Sequence, residues 1–284
     1  MWSRNKANLY IRDALDDFHY DPKALPSPIA QRKIYRNKLM LTHLTGFGGG
    51  VSGATGTSYA FDGNGDMLDC GDSADWNMGT GLFTIDFWAR FNSSGTQQFF
   101  GQYVDGNNFW RSEVQPNANL ITFSIDDPTN PVGFAPAGLS ATTEVWYHFA
   151  YIRGWASNAD SWAITQDGVI IGSPTTDADG FQDLASSFFI GNFRSAGASQ
   201  FFSGNMDEFR VSKGVARWTA NFTPSTVAYT SDGNTQLLIH CNETLASGTT
   251  GSGATFTDSG NTGHTVTENG NAIRDTSIFK IPTI

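Results

Sequence analysis

Apolar and polar residues alternate with a period of two through long stretches of this chain. Phe83, Ile85, Phe87, Ala89 and Phe91 interleave with Thr84, Asp86, Trp88 and Arg90. Trp146, His148, Ala150 and Ile152 interleave with Val145, Tyr147, Phe149 and Tyr151. Alternation of this kind sends successive side chains to opposite faces, so both stretches are predicted as strands. Both faces carry aromatics, as central strands of a sandwich do when one side is core and the other partly covered. Asp167-Gly168, between Trp162–Thr165 and Val169–Ile171, predicts a hairpin, because Asp-Gly accepts the positive φ of a tight turn. Further strands are predicted at Phe99–Tyr103, Asn108–Val114, Leu120–Ile125, Ser187–Phe193, Asn205–Val211 and Gln236–His240. Turn residues recur between them at the spacing of a sandwich. From Leu39 onward the chain is read as all-β.

Upstream of Leu39 the period is different. Ile11, Ala14, Leu15 and Phe18 fall at helical spacing and predict one short amphipathic helix, after which Pro22, Pro26 and Pro28 impose an extended run. A helix of about ten residues is marginal alone in water, so it is expected to dock on another surface. Residues 1–45 hold eight basic and four acidic residues, a net of +4, and the rest of the chain carries −14. That asymmetry marks residues 1–38 as an anchoring arm with its own partner. Arg4, Arg12, Leu15, Phe18, Arg32, Lys33, Arg36 and Lys38 are its candidate contact residues.

Composition narrows the picture. Only 15% of the 284 residues are charged, while Gly (31) and Phe (22) are abundant, which suits short strands joined by turns rather than helices. No run of about 18 apolar residues occurs, and the charged first twenty residues leave no room for a secretion signal. The expectation is a protein made in a reducing cytoplasm, with Cys70 and Cys241 as buried free thiols rather than a bridge.

The catalytic templates fail. Gly48–Gly53 formally matches a dinucleotide fingerprint, but a strand rather than a helix is predicted after it, so a linker is the better reading. Asp62-Gly63-Asn64-Gly65-Asp66 begins like a calcium loop, yet Met67 and Ser73 stand where that loop needs Gly and Glu. His240 and Cys241 are adjacent on a predicted strand and point to opposite faces, and each of the five histidines is read as core or rim. No pair of glutamates is close in sequence, so the carboxylate pair of a glycosidase is not signalled. The chain is read as non-enzymatic.

The segments Tyr59–Gly63, Phe83–Trp88, Trp146–Ala150, Phe202–Ser212 and Lys213–Pro224 resemble the LamG-like (concanavalin A-like) jelly roll common in bacteriophage proteins. The last two are the specific ones, and the resemblance covers about residues 39–275. It implies two curved antiparallel sheets, with Asp207-Glu208 near the start of a late closing strand and Asp207 and Arg210 satisfying loop backbone or each other. It also implies glycan binding at the rim or concave face, for which Trp110, Trp155 and Trp162 are the exposed aromatic candidates. No cofactor is required; calcium stays open through rim aspartates such as Asp105, Asp126 and Asp127. The segment 235–284 resembles how such a domain usually begins. It is expected to complete the sandwich beside Leu39–His43 or to pair with a neighbouring subunit.

The resulting expectation is a virion structural protein, of capsid-decoration or tail-appendage type, held by its arm to capsid or tail subunits. The alternative is a glycan-binding adhesin module for cell-surface or environmental polysaccharide, and, third, a polysaccharide hydrolase. Symmetric homo-oligomers such as trimers are compatible. Nucleic acid is disfavoured, since a body of net −14 repels phosphate, and no membrane partner is expected.

Overall fold

The computed structural model describes residues 56–126, 132–193, 199–241 and 255–281. The arm residues Arg4, Arg12, Leu15, Phe18, Arg32, Lys33, Arg36 and Lys38 lie outside the described residues, as do Leu39–His43, Gly48–Gly53 and Asp127. Among the described residues no helix is long and apolar enough to cross a membrane.

Among the described residues seventeen strands follow one another. The first seven are β1 (Ser58–Asp62), β2 (Met67–Asp69), β3 (Phe83–Phe91), β4 (Gln97–Asp105), β5 (Asn108–Gln115), β6 (Leu120–Asp126) and β7 (Val132–Phe134). The next six are β8 (Trp146–Arg153), β9 (Ser161–Gln166), β10 (Val169–Ile170), β11 (Thr175–Thr176), β12 (Phe189–Ile190) and β13 (Ser203–Lys213). Last come β14 (Thr235–Ile239), β15 (Thr255–Phe256), β16 (Val266–Asn269) and β17 (Ile273–Asp275).

They form two antiparallel sheets. The first runs β10-β9-β8-β3-β13-β1-β17, with β11 also on β9 and β14 also on β13. The second runs β15-β16-β2-β12-β4-β5-β6-β7. Between them lies a mainly aromatic core in which Phe87 meets Phe99, Phe100, Tyr151 and Phe209. Trp110 stacks on Phe188 in the same layer. Cys70 and Cys241 are both buried free thiols.

Local signals place the elements well. Asp167 (φ 51°) and Gly168 (φ 76°) form the tight turn between β9 and β10. The strand expected over Ser187–Phe193 shrinks to Phe189–Ile190, because Gly191 (φ 90°) turns the backbone there. A Cβ at Gly191 would lie 2.8 Å from the Phe61 ring, so the glycine allows two segments to touch. The C-terminal segment closes both sheets within the chain: β14 pairs with β13, β16 with β2, and β17 with β1.

Candidate functional site: the half-open outer face of the second sheet

The outer faces of the two sheets differ. On the first sheet, residues 214–234 lie as a strap across β8, β3 and β13. Trp218 and Phe222 stack at 3.8 Å and pack over Ala150, Ile152, Trp155 and Ala163. Beneath them the outward side chains are polar and fully buried. Asp86 accepts two hydrogen bonds of 2.9 Å from Arg210, and His148 Nε2 lies 2.8 Å from the Tyr229 hydroxyl. The Arg210 guanidinium sits 3.9 Å from the Tyr229 ring centre. Burial opposes ionisation of Asp86, but Arg210 and His148 outweigh it and hold the carboxyl below its usual value.

Glu208, at φ 52° where the β13–β3 register shifts, accepts from the Tyr229 amide and lies 2.9 Å from His240 Nδ1. Asp207 accepts the Lys280 and Ile281 amides, and burial pushes its carboxyl well up. Asp207 therefore binds loop backbone, as the resemblance implies. Arg210 pairs with Asp86, not with Asp207. These carboxylates clamp the strap and the C-terminal segment; none of them opens onto a groove.

The second sheet keeps a half-exposed outer face along β4, β5 and β6. On β5 the inward residues Trp110, Ser112 and Val114 are buried, and the outward Phe109, Arg111, Glu113 and Gln115 are half-exposed. Neighbouring strands extend this row: Arg111 stands opposite Ser124, Glu113 opposite Thr122, and Phe109 between Tyr103 and Asp126. The Arg111 guanidinium lies 5.4 Å from the Phe109 ring centre and 5.1 Å from that of Phe193, with Glu113 at 3.6 Å. Tyr103 and Phe109 each meet Phe193 edge-on. Gly101 makes this possible, since a Cβ there would stand 2.2 Å from the Trp110 carbonyl oxygen and 2.7 Å from Phe193 Cβ. At the far end, a Cβ added to Gly133, opposite Ser124, would meet nothing within 4 Å.

The arrangement combines aromatic faces, one cation (Arg111), two carboxylates (Glu113 and Asp126) and three hydroxyls (Tyr103, Thr122 and Ser124) on one sheet. Such a surface can hold a flat, hydroxyl-bearing ligand by stacking and by hydrogen bonding from both sides. Among the described residues no group of three His, Cys, Asp or Glu side chains is placed to hold a metal ion. Asp105 is occupied in its hairpin, accepting from Asn107 N and Asn108 Nδ2, and these bonds hold its carboxyl below the ordinary value.

The three tryptophans expected at an exposed site are not there. Trp110, Trp155 and Trp162 are 1%, 7% and 2% exposed. Trp110 donates to Gln102 inside the core, Trp162 stacks over Phe181 and under Arg153, and Trp155 lies under the strap. Parity was the overlooked signal: Trp110 alternates in step with Ser112 and Val114, whereas Phe109 keeps step with Arg111 and Glu113. On a half-buried strand the charged parity faces water.

Comparison with known proteins places this geometry. No curated protein sequence matches the chain. A candidate carbohydrate-binding protein from Bacteroides ovatus superposes with a TM-score of 0.60 at 16% identity, covering 80% of this chain and 62% of its own. The present chain thus spans less than two thirds of that protein. The heptameric SAP-like pentraxin of Limulus polyphemus is similar over 79% of this chain and 97% of its own, at 15% identity and a TM-score of 0.46. Domains LG4-5 of the mouse laminin α1 chain cover 60% of this chain and 47% of their own, at 12% identity and a TM-score of 0.41. At such identities the likeness is one of fold. The Laminin_G_3 model, of the concanavalin A-like lectin/glucanases superfamily, matches residues 62–220, more than half of the sequence, and the chain belongs to that family.

Proposed function

We propose that this protein is a non-catalytic carbohydrate-binding jelly roll, displayed on a bacteriophage particle and tethered to capsid or tail subunits by its basic N-terminal arm. The observation that carries the binding half is the half-exposed row of Tyr103, Phe109, Arg111, Glu113 and Ser124 across β4–β6. The superfamily's lectins and the Bacteroides ovatus relative support it. Net charge sharpens the ligand class. The chain beyond residue 45 carries −14, which repels polyanions at ordinary ionic strength, so neutral polysaccharide is the expected ligand.

A glycan array followed by calorimetry tests this reading. Wild type is expected to bind neutral glycans, with Phe109→Ala and Arg111→Ala each weakening binding about tenfold, the loss of one good contact. Absence of binding to any neutral glycan would sink it. Reducing-end release from the same glycans would instead support a hydrolase.

The display half is supported by the charge asymmetry between residues 1–45 and the rest of the chain. Deleting residues 1–38 is expected to abolish incorporation into particles and to leave glycan affinity unchanged. Incorporation that survives the deletion removes the tether.

A further inference from the structure

Glu268 is the one carboxylate among the described residues with both oxygens buried and unpartnered. It lies on β16 and is only 2% exposed, and neither of its carboxylate oxygens has a hydrogen-bond partner. Its cross-strand neighbour is Leu68, and its i−2 neighbour on the same face is Val266. Both belong to the hydrophobic core, so Glu268 points into the sandwich with them. Unpaired carboxyls in such a place are rare and call for a physical reason.

The groups around it do not neutralise a charge. In the turn between β1 and β2, Asp66 is also buried and accepts the Asp62 and Asn271 amides, bridging the turn to the residues just after β16. Asp62, exposed at the end of β1, accepts the Asn64 amide. On β2, Asp69 is paired with Thr267 and so lies on the other face. β15 brings only Thr255 and Phe256. From the first sheet, Tyr59 packs edge-on against Phe256, and Arg274 of β17 stands opposite Tyr59, giving Glu268 no hydrogen bond. Asp275 of β17 faces Ser58 and holds the Ser277 and Ile278 amides. The charged group felt most closely by Glu268 is thus another carboxylate, Asp66.

We propose that Glu268 is a proton-operated latch on the C-terminal closing strands. Protonated, it packs as core and keeps β16 on β2. Ionised, it disfavours the closed position of β15–β17, which then opens locally while the rest of the sandwich stays folded. Burial, helped by the field of Asp66, pushes the Glu268 carboxyl up to about 7. Burial likewise raises Asp66. A carboxyl whose closed-state value lies above its open-state value of about 4.3 favours closure fully at low pH, and that contribution is lost as pH rises through about 7. The closing strands are therefore tightest in mild acid.

The test is hydrogen exchange followed by mass spectrometry on the full chain at pH 5 and pH 7.5, corrected for the intrinsic exchange rate. In wild type, opening of peptides in 255–281 is expected to rise roughly fifty-fold between the two conditions, with β3, β8 and β13 unmoved. Glu268→Gln, neutral at both, is expected to flatten the rise. Equal pH response in wild type and Glu268→Gln would overturn the latch, as would a flat wild-type profile, which decides the matter even if the variant does not fold. Suppression of the rise by millimolar calcium or magnesium would also overturn it, marking a cation site instead.

Discussion

The two outer faces of the sandwich are built from similar materials and end in opposite conditions. On the first sheet, Asp86, His148, Glu208 and Arg210 point outward and are sealed beneath residues 214–234. On the second, Phe109, Arg111, Glu113 and Ser124 point outward and stay half-exposed. Both faces mix aromatics with charge, so residue types alone do not distinguish clamp from binding surface. The difference is cover. Under the strap each carboxylate meets a donor. On the second sheet Arg111 rests on rings beside Glu113 with its side chain 30% exposed, and its buried Nε has no hydrogen-bond partner.

That contrast can be broken by mutation, beginning with the largest effect. Asp86→Ala leaves Arg210 buried without its anion, and breaking a buried pair in this way costs about 3–5 kcal/mol. Urea unfolding is expected to show this loss, together with faster exchange in residues 214–234. Asp86→Asn should recover little of it, because the charge is what Arg210 requires.

Gly101→Ala comes next. Its Cβ would press on the Trp110 carbonyl and on Phe193, and overpacking of this kind costs about 1–3 kcal/mol. Because Phe193 supports Arg111, glycan affinity is expected to fall alongside the melting temperature. Affinity that stays at the wild-type level in a destabilised Gly101→Ala would show that Phe193 does not position the cation.

Smaller still is Arg217→Ala. Within the strap, Arg217 donates two hydrogen bonds of 3.0 Å to Asp232, it also donates to the Ser212 and Thr235 hydroxyls that flank the strap, and these contacts hold Asp232 well below its ordinary carboxylate value. Asp232 is the exposed partner and such a pair contributes about 0–1 kcal/mol, to which the lost bonds to the buried Ser212 and Thr235 hydroxyls add about 1 kcal/mol, so a modest shift in urea midpoint is expected. Arg111→Ala should be smallest in stability, within about 0.5 kcal/mol, while its effect on glycan binding remains. A variant that loses stability and keeps binding would reverse the assignment of the two faces.

Acid separates the faces as well. The Asp86 carboxyl is held below its unfolded value, so its contribution is present above about pH 4 and is lost as pH falls through the folded value. Acid unfolding monitored by Trp fluorescence is expected to release residues 214–234 first, and Asp86→Asn to remove that step. The sign is opposite to that of Glu268, which tightens its strands as pH falls toward 5.

Much of the architecture was legible in residue order. Alternation marked β3 and β8, and Asp167-Gly168 marked the β9–β10 turn, because both depend on pleat and φ preferences that act over a few residues. The proposed ligand face did not follow in the same way. Trp110, Trp155 and Trp162 are as aromatic as any sugar-binding residue, and only parity against their neighbours hints that Trp110 turns inward.

The sequence alone therefore determined where the long strands lie and that an all-β sandwich results, since these are matters of local sterics and of period. Which outer face is sealed and which stays half-open was decided by tertiary structure. The strap of residues 214–234 meets β3 more than a hundred residues away in the chain, as Arg217 N to Thr84 Oγ1 shows. Glu268 is buried only because β16 pairs with β2 from the opposite end of the sequence. Exposure is a property of what lies on top of a residue, and no local pattern carries that information.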